Sequence, residues 1–141
     1  MQITRQADYA LRAMIYLSQL EPNQRAATSQ IAELQHIPPS FLAKIISQLS
    51  IAGLIHTSRG ARGGVSLARP PEGISVLEVV EAIDGPIALN ECSQGTGVCP
   101  FGDNCPLRSL WCDAQAELIA KLKGTTFASV LAGADTQMQP A

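Results

Sequence analysis

The chain has 141 residues, 46% hydrophobic and 16% charged, with a formal net charge of −2. That length and apolar content fit one globular domain with its own core and exclude a disordered segment. No run is long and apolar enough to span a bilayer, and Met1 to Gln6 leads into no signal-like apolar stretch, so a cytoplasmic protein without membrane contact is expected.

Thr4 is placed to cap a helix running to about Leu20, with Ala7, Ala10, Leu11, Met14, Ile15 and Leu17 on its apolar face. Glu21-Pro22-Asn23 ends it, and Thr28 or Ser29 caps a short helix through Leu34. Pro38-Pro39-Ser40 opens a third helix to about Ala52, closed by Gly53, with Phe41, Leu42, Ile45, Ile46 and Leu49 turned inward. Leu54 to Ser58 and Val65 to Arg69 read as two strands joined by the turn Arg59-Gly60-Ala61-Arg62-Gly63-Gly64. Ser75 caps a fourth helix carrying Val76, Leu77, Val79, Val80 and Ile83, stopped by Gly85-Pro86. After a cysteine-rich stretch, Pro106 opens a long helix to Lys123, and Gly124 ends it. Thr125 caps a last short helix from Phe127 to Leu131, and residues 133–141 read as a frayed tail.

The order helix, helix, turn, helix, hairpin predicts a winged helix-turn-helix. The fold class is mainly α with a small β-hairpin, followed by a long C-terminal helix. The expected layout is 1–85 for the DNA-binding region, 86–105 for a cysteine-rich loop, 106–132 for a dimerisation helix with a short terminal helix, and 133–141 for a flexible tail. Charge agrees with this division. Residues 1–69 carry seven Lys/Arg against three acids, or +4, and residues 70–141 carry three against nine, or −6. A basic half suits an anionic partner, although an uneven surface alone gives the same count.

On the third helix, Ser40, Lys44, Ser47 and Gln48 are donors able to reach base edges or phosphates of a double-stranded DNA operator. Arg59 and Arg62 sit at the hairpin tip among glycines, which let the backbone approach a sugar–phosphate wall while arginine enters a minor groove. Each has a plainer reading. Ser40 could be a helix cap, Lys44 a solvated charge, and the tip a flexible turn. His36 and His56 read as ordinary histidines. No constellation for catalysis is present, so the chain is not expected to be an enzyme.

All four cysteines, Cys92, Cys99, Cys105 and Cys112, lie in one window. The first three are widely spaced, with Gly95, Gly97 and Gly102 between them, which suits a loop wrapped around an iron–sulfur cluster. The paired spacing of a zinc knuckle is absent, and a disulfide framework conflicts with a cytoplasmic setting. A metal-free thiol switch, or a regulator of this fold sensing a small molecule, stays open. An iron–sulfur electron carrier is disfavoured, because no ferredoxin spacing occurs and the basic hairpin would be unused. Cys112, beside Trp111 at the edge of an apolar stripe, reads as a small hydrophobe, a spare ligand or a redox partner of Cys105. Leu107, Leu110, Trp111, Ala114, Leu118 and Leu122 make that stripe, fit for a partner helix or for an intrachain core.

Gln2-Ile3-Thr4, Asp8-Tyr9-Ala10, Leu42 to Leu49, Gly53-Leu54-Ile55, Arg59 to Gly64, Leu67-Ala68, the helix up to Gly85 and the three spaced cysteines together resemble the Rrf-type winged-helix regulators, the family of IscR, NsrR and RirA. The resemblance covers nearly the whole chain. It implies a homodimer whose long C-terminal helices cross, and a transcriptional regulator whose DNA affinity follows a cluster that senses iron status, oxygen or nitric oxide. IscR-like members place a histidine three residues after the third cysteine and hold a two-iron cluster. Here that position is Arg108, which cannot ligate. NsrR-like members hold a four-iron cluster with an aspartate from the partner's first helix, and Asp8 occupies that place. The resemblance therefore implies Cys92, Cys99, Cys105 and Asp8 of the partner subunit around a 4Fe-4S rather than a 2Fe-2S cluster.

Overall fold

The computed structural model describes residues 2–61, 63–90 and 104–134. Arg62, Cys92 and Cys99 of the expected site lie outside these residues, as does the end of the tail.

Helix α1 spans Arg5–Ser18, and the Thr4 hydroxyl accepts the Ala7 N–H at 3.1 Å as its N-cap. Ala7, Ala10 and Ala13 are fully buried, and α1 packs on three other helices. Small side chains permit that close approach. The helix stops at Ser18 rather than Leu20 because the next residues form their own turn. Asn23 adopts φ 69°, and the Gln24 side chain accepts the Glu21 N–H at 3.0 Å.

Helix α2 covers Thr28–Leu34. Its N-cap is Ala27, not Thr28 or Ser29. Ala26 is held in an antiparallel bridge to Val65, so the chain must turn into the helix directly afterwards. The Gln30 side chain accepts the otherwise orphaned Ala27 N–H at 3.1 Å. His36, at φ 54°, makes the turn into α3, Pro39–Ile51. Leu42, Ile45, Ile46 and Leu49 are buried as expected, but Phe41 is 42% exposed. Its ring lies at the margin of α3, 6.1 Å from that of Tyr9 on α1 and tilted 57° to it.

Strands β1, Ile55–Ser58, and β2, Gly64–Leu67, pair antiparallel with Ile55 opposite Leu67 and Ser58 opposite Gly64. A single 3-10 turn at Pro71–Gly73 leads to α4, Val76–Asp84, which has a reciprocal capping box between Ser75 and Glu78. Helix α5 runs Pro106–Lys123 and α6 Phe127–Ala134. The cap of α6 is Thr126, not Thr125: Thr126 and Ser129 exchange backbone-to-hydroxyl bonds at 3.0 and 3.1 Å. Ser75 pairs with Thr126 and fixes that start, while the Thr125 hydroxyl is spent on the Lys121 carbonyl. The helix continues past Leu131 to Ala134, so residues 133 and 134 are helical rather than frayed.

Six helices and a two-stranded hairpin, among the described residues, make a winged helix-turn-helix with a long helix appended. The main core joins α1, α2, α3, the hairpin and Phe127 of α6. A second, smaller cluster of Leu77, Val80 and Ile87 receives Leu118, Ile119 and Leu122 from the end of α5. No residue of α5 is fully buried, and Leu107 and Leu110 near its start are over half exposed. The stripe therefore divides: its C-terminal end docks on α4, and its N-terminal end stands exposed among the described residues. No described helix is long and apolar enough to cross a membrane.

Candidate nucleic-acid interface and cysteine centre

Ser40, Lys44 and Ser47 lie exposed along α3 at helical spacing, on the side away from Leu42, Ile45 and Leu49. Ser40 makes no cap bond, because the helix starts at Pro39 with Pro38 before it. Gln48 is the exception in the set. It is half-buried, and its Oε1 is enclosed without a hydrogen-bond partner among the described residues. A groove of about 370 Å3 runs between α3 and the hairpin, and Thr28, Ser47, Thr57 and Arg59 all line it. The fold thus brings the start of α2, the middle of α3 and the root of the wing to one surface. Cationic and hydroxyl side chains on that surface match the donors that phosphate oxygens accept.

Two contributors were missed by the sequence reading. Thr28 borders the groove, and Arg25 donates to the Ser58 hydroxyl at 2.8 Å, bracing the base of the wing beside Arg59. Arg25 is visible in sequence only as one of seven cations. Its role depends on the Ala26–Val65 bridge, which no local pattern announces.

The wing itself is held by close backbone packing. A Cβ on Gly63 would lie 2.4 Å from the Ser58 carbonyl oxygen, and one on Gly64 would lie 2.8 Å from that of Ala26. Gly64 also has φ 151°. Glycine at these two positions lets the hairpin close against the strand-like residue 26.

Of the expected ligands, Asp8 lies in the first turn of α1, about half exposed and paired with Arg12 at 2.9 Å. Cys105 is the N-cap residue of α5, half-buried, and its thiol makes no capping hydrogen bond. Cys112 is also a half-buried free thiol, seven residues on along the same helix. That spacing separates the two backbones by roughly 10 Å, far apart for two ligands of one compact cluster. The described residues contain no grouping of three or more His, Cys, Asp or Glu able to hold a metal ion. Within one chain, then, Asp8 and Cys105 do not assemble a centre by themselves. The thiolate-rich donor set remains chemically suited to iron and sulfide.

The family model for Rrf2, described as an iron-dependent transcriptional regulator, matches residues 3–133. The chain belongs to the Rrf2 family. Among curated relatives, the Mycobacterium tuberculosis protein Rv1287, named as a candidate HTH-type transcriptional regulator, is 36% identical over 95% of this chain and 83% of its own length. The HTH-type transcriptional regulator NsrR of Shouchella clausii is 31% identical over 96% of this chain and 91% of that one. Among solved structures, T. potens IscR superposes with a TM-score of 0.79 at 26% identity, covering 100% of this chain and 94% of that one. CymR, the global cysteine regulator of B. subtilis, gives 0.78 at 26% identity over 92% and 95%. As an Rrf2 protein, this chain is a DNA-binding transcriptional regulator.

Proposed function

We propose that this Rrf2 protein is a cytoplasmic homodimer whose grip on an operator is set by an iron–sulfur cluster. The ligands would be Cys92, Cys99, Cys105 and Asp8 of the partner subunit, with 4Fe-4S the favoured type. The observation that carries the reading is Cys105: a half-buried thiol at the N-terminus of α5, with no capping bond to satisfy it, in a family described as iron-dependent. When bound, the cluster supplies a centre that iron loss, oxygen or nitric oxide can alter.

The chain's own part is positional. Asp8 stands on α1, and α1 touches α3 through the Tyr9–Phe41 ring contact. A carboxylate held by the partner's site would fix α1, and with it the aim of Ser40, Lys44, Ser47 and Gln48. Arg59 and Arg62 on the wing hold the backbone alongside.

The likeness to CymR, equal in identity to that with IscR, favours one second reading, a metal-free regulator switching on thiol chemistry at Cys105 or Cys112. Purification without oxygen, a visible spectrum, and iron and sulfide analysis separate the two. A brown protein with both elements is expected, and a colourless one after reconstitution overturns the cluster. Asp8→Ala should perturb the spectrum and Cys112→Ala should not. The reverse result would make Cys112 the fourth ligand.

A further inference from the structure

Asp84 occupies a place that local rules disfavour. It is the last residue of α4, where the helix end is negative and a cation belongs, and that turn holds no basic residue. Its carboxylate is used elsewhere. It accepts the Thr4 N–H at 3.3 Å and the Thr4 hydroxyl at 2.5 Å, across 80 residues of sequence. The same hydroxyl accepts the Ala7 N–H, so Asp84 orients the proton that leaves a lone pair free to cap α1. A carboxylate there also meets the positive end of α1.

The other side of Asp84 leads to the cysteines. Gly85, at φ 80°, turns the chain; Ile87 is buried against Leu77 and Val80; and the Leu89 N–H donates to Gln115 of α5 at 3.0 Å. The segment that enters the cysteine window is thus fastened within a few residues of the bond that starts α1. A displacement of this segment large enough to move Asp84 must carry the N-terminus of α1 with it or break the Asp84–Thr4 contact. Asp8 and Tyr9 follow one turn further along α1, and Tyr9 meets Phe41 on α3.

We propose that Asp84 is a positioning residue that clamps the start of α1 to the root of the cysteine-bearing segment and so passes that segment's state to the DNA-reading helix. The proposal rests on the reading that this segment is the sensor. The contact is charge-assisted yet open to water, which suits a joint that is made and broken better than a permanent core bond.

The test uses the full chain in two states, reconstituted with iron and sulfide without oxygen, and stripped by a chelator. The probe is a duplex enriched by the unaltered protein from a random-sequence pool. The readout is the ratio of Kd values in the two states, with iron and sulfide content and thermal midpoint as controls. Asp84→Ala should shrink the ratio by about threefold or more, with iron content unchanged. Thr4→Ser, which keeps the hydroxyl, should preserve the ratio, and Thr4→Val should lose it. In the stripped protein, amide exchange at Ala7 should quicken in Asp84→Ala. A ratio unchanged in Asp84→Ala, even with both affinities weakened, overturns the clamp and leaves the sensor reading intact. A ratio of one in the unaltered protein overturns the sensor reading and the clamp together. If Asp84→Ala does not fold, the Thr4 pair and Asp84→Asn decide by the same ratio.

Discussion

Glu78 has two tasks at once, closing the capping box of α4 and pairing with Arg69. Burial pushes its carboxyl upward. The Arg69 hydrogen bond at 2.7 Å and the Ser75 N–H bond at 2.9 Å outweigh this and hold it below the ordinary value of 4.5. A carboxylate lowered in the folded state adds stability that is present above 4.5 and lost as pH falls through the lowered value. Both side chains of the pair are about two-fifths exposed, so the screened contribution is about 0.5 kcal/mol. Glu78→Gln keeps an acceptor for Ser75 and removes the charge. Urea unfolding at pH 7 should place this variant below the parent by about that amount, and at pH 3 the two should coincide. An undiminished gap at pH 3 would mean that the loss comes from packing, not charge.

At the level of elements, the wing is set by two glycines that touch backbone. Gly64→Ala puts a methyl group against the Ala26 carbonyl in a left-handed conformation, and Gly63→Ala drives one into the Ser58 carbonyl. Each should cost about 1–3 kcal/mol and loosen the bridge between residues 26 and 65. Operator affinity should fall further than this loss of stability requires, because the wing no longer presents Arg59. Gel-shift titration beside thermal melting checks this. Full affinity in a destabilised Gly63→Ala would sever the wing from DNA binding. The helices and hairpin were legible in the sequence because caps, prolines and apolar spacing act over a few residues. Ser75, Gly53 and Pro106 mark their boundaries where expected. What the sequence misplaced depends on distant partners. Thr126 displaced Thr125 because Ser75 pairs with it, Ala27 displaced Thr28 because Val65 holds Ala26, and Phe41 faces Tyr9. Of the site, the exposed row on α3 was readable from helical spacing. The Arg25–Ser58 brace and the enclosed Gln48 oxygen were not, since both depend on how the hairpin and α3 sit in the folded chain.

For the whole molecule, the division of α5 decides what else must be present. Leu118, Ile119 and Leu122 anchor its end on α4, yet Leu107 and Leu110 stand 54% and 53% exposed and Trp111 36%. Three large apolar residues spaced i, i+3 and i+4 on one helix make a face suited to its own symmetry mate, the arrangement that the proposed homodimer needs. In a two-fold contact each substitution counts twice. Leu110→Lys removes burial worth about 2 kcal/mol per copy, so about 4 kcal/mol is lost from the dimer. That is roughly a thousandfold in its dissociation constant. At micromolar concentration the parent should sediment as a dimer and Leu110→Lys as a monomer, with melting of the winged region little changed because the residue touches neither core. DNA binding should fall with it. One wing grips a half-site alone, whereas a dimer places two recognition helices about one turn of duplex apart. A Leu110→Lys protein that stays dimeric would move the interface off this face, and with it the expectation that Asp8 reaches across to the partner's cysteines.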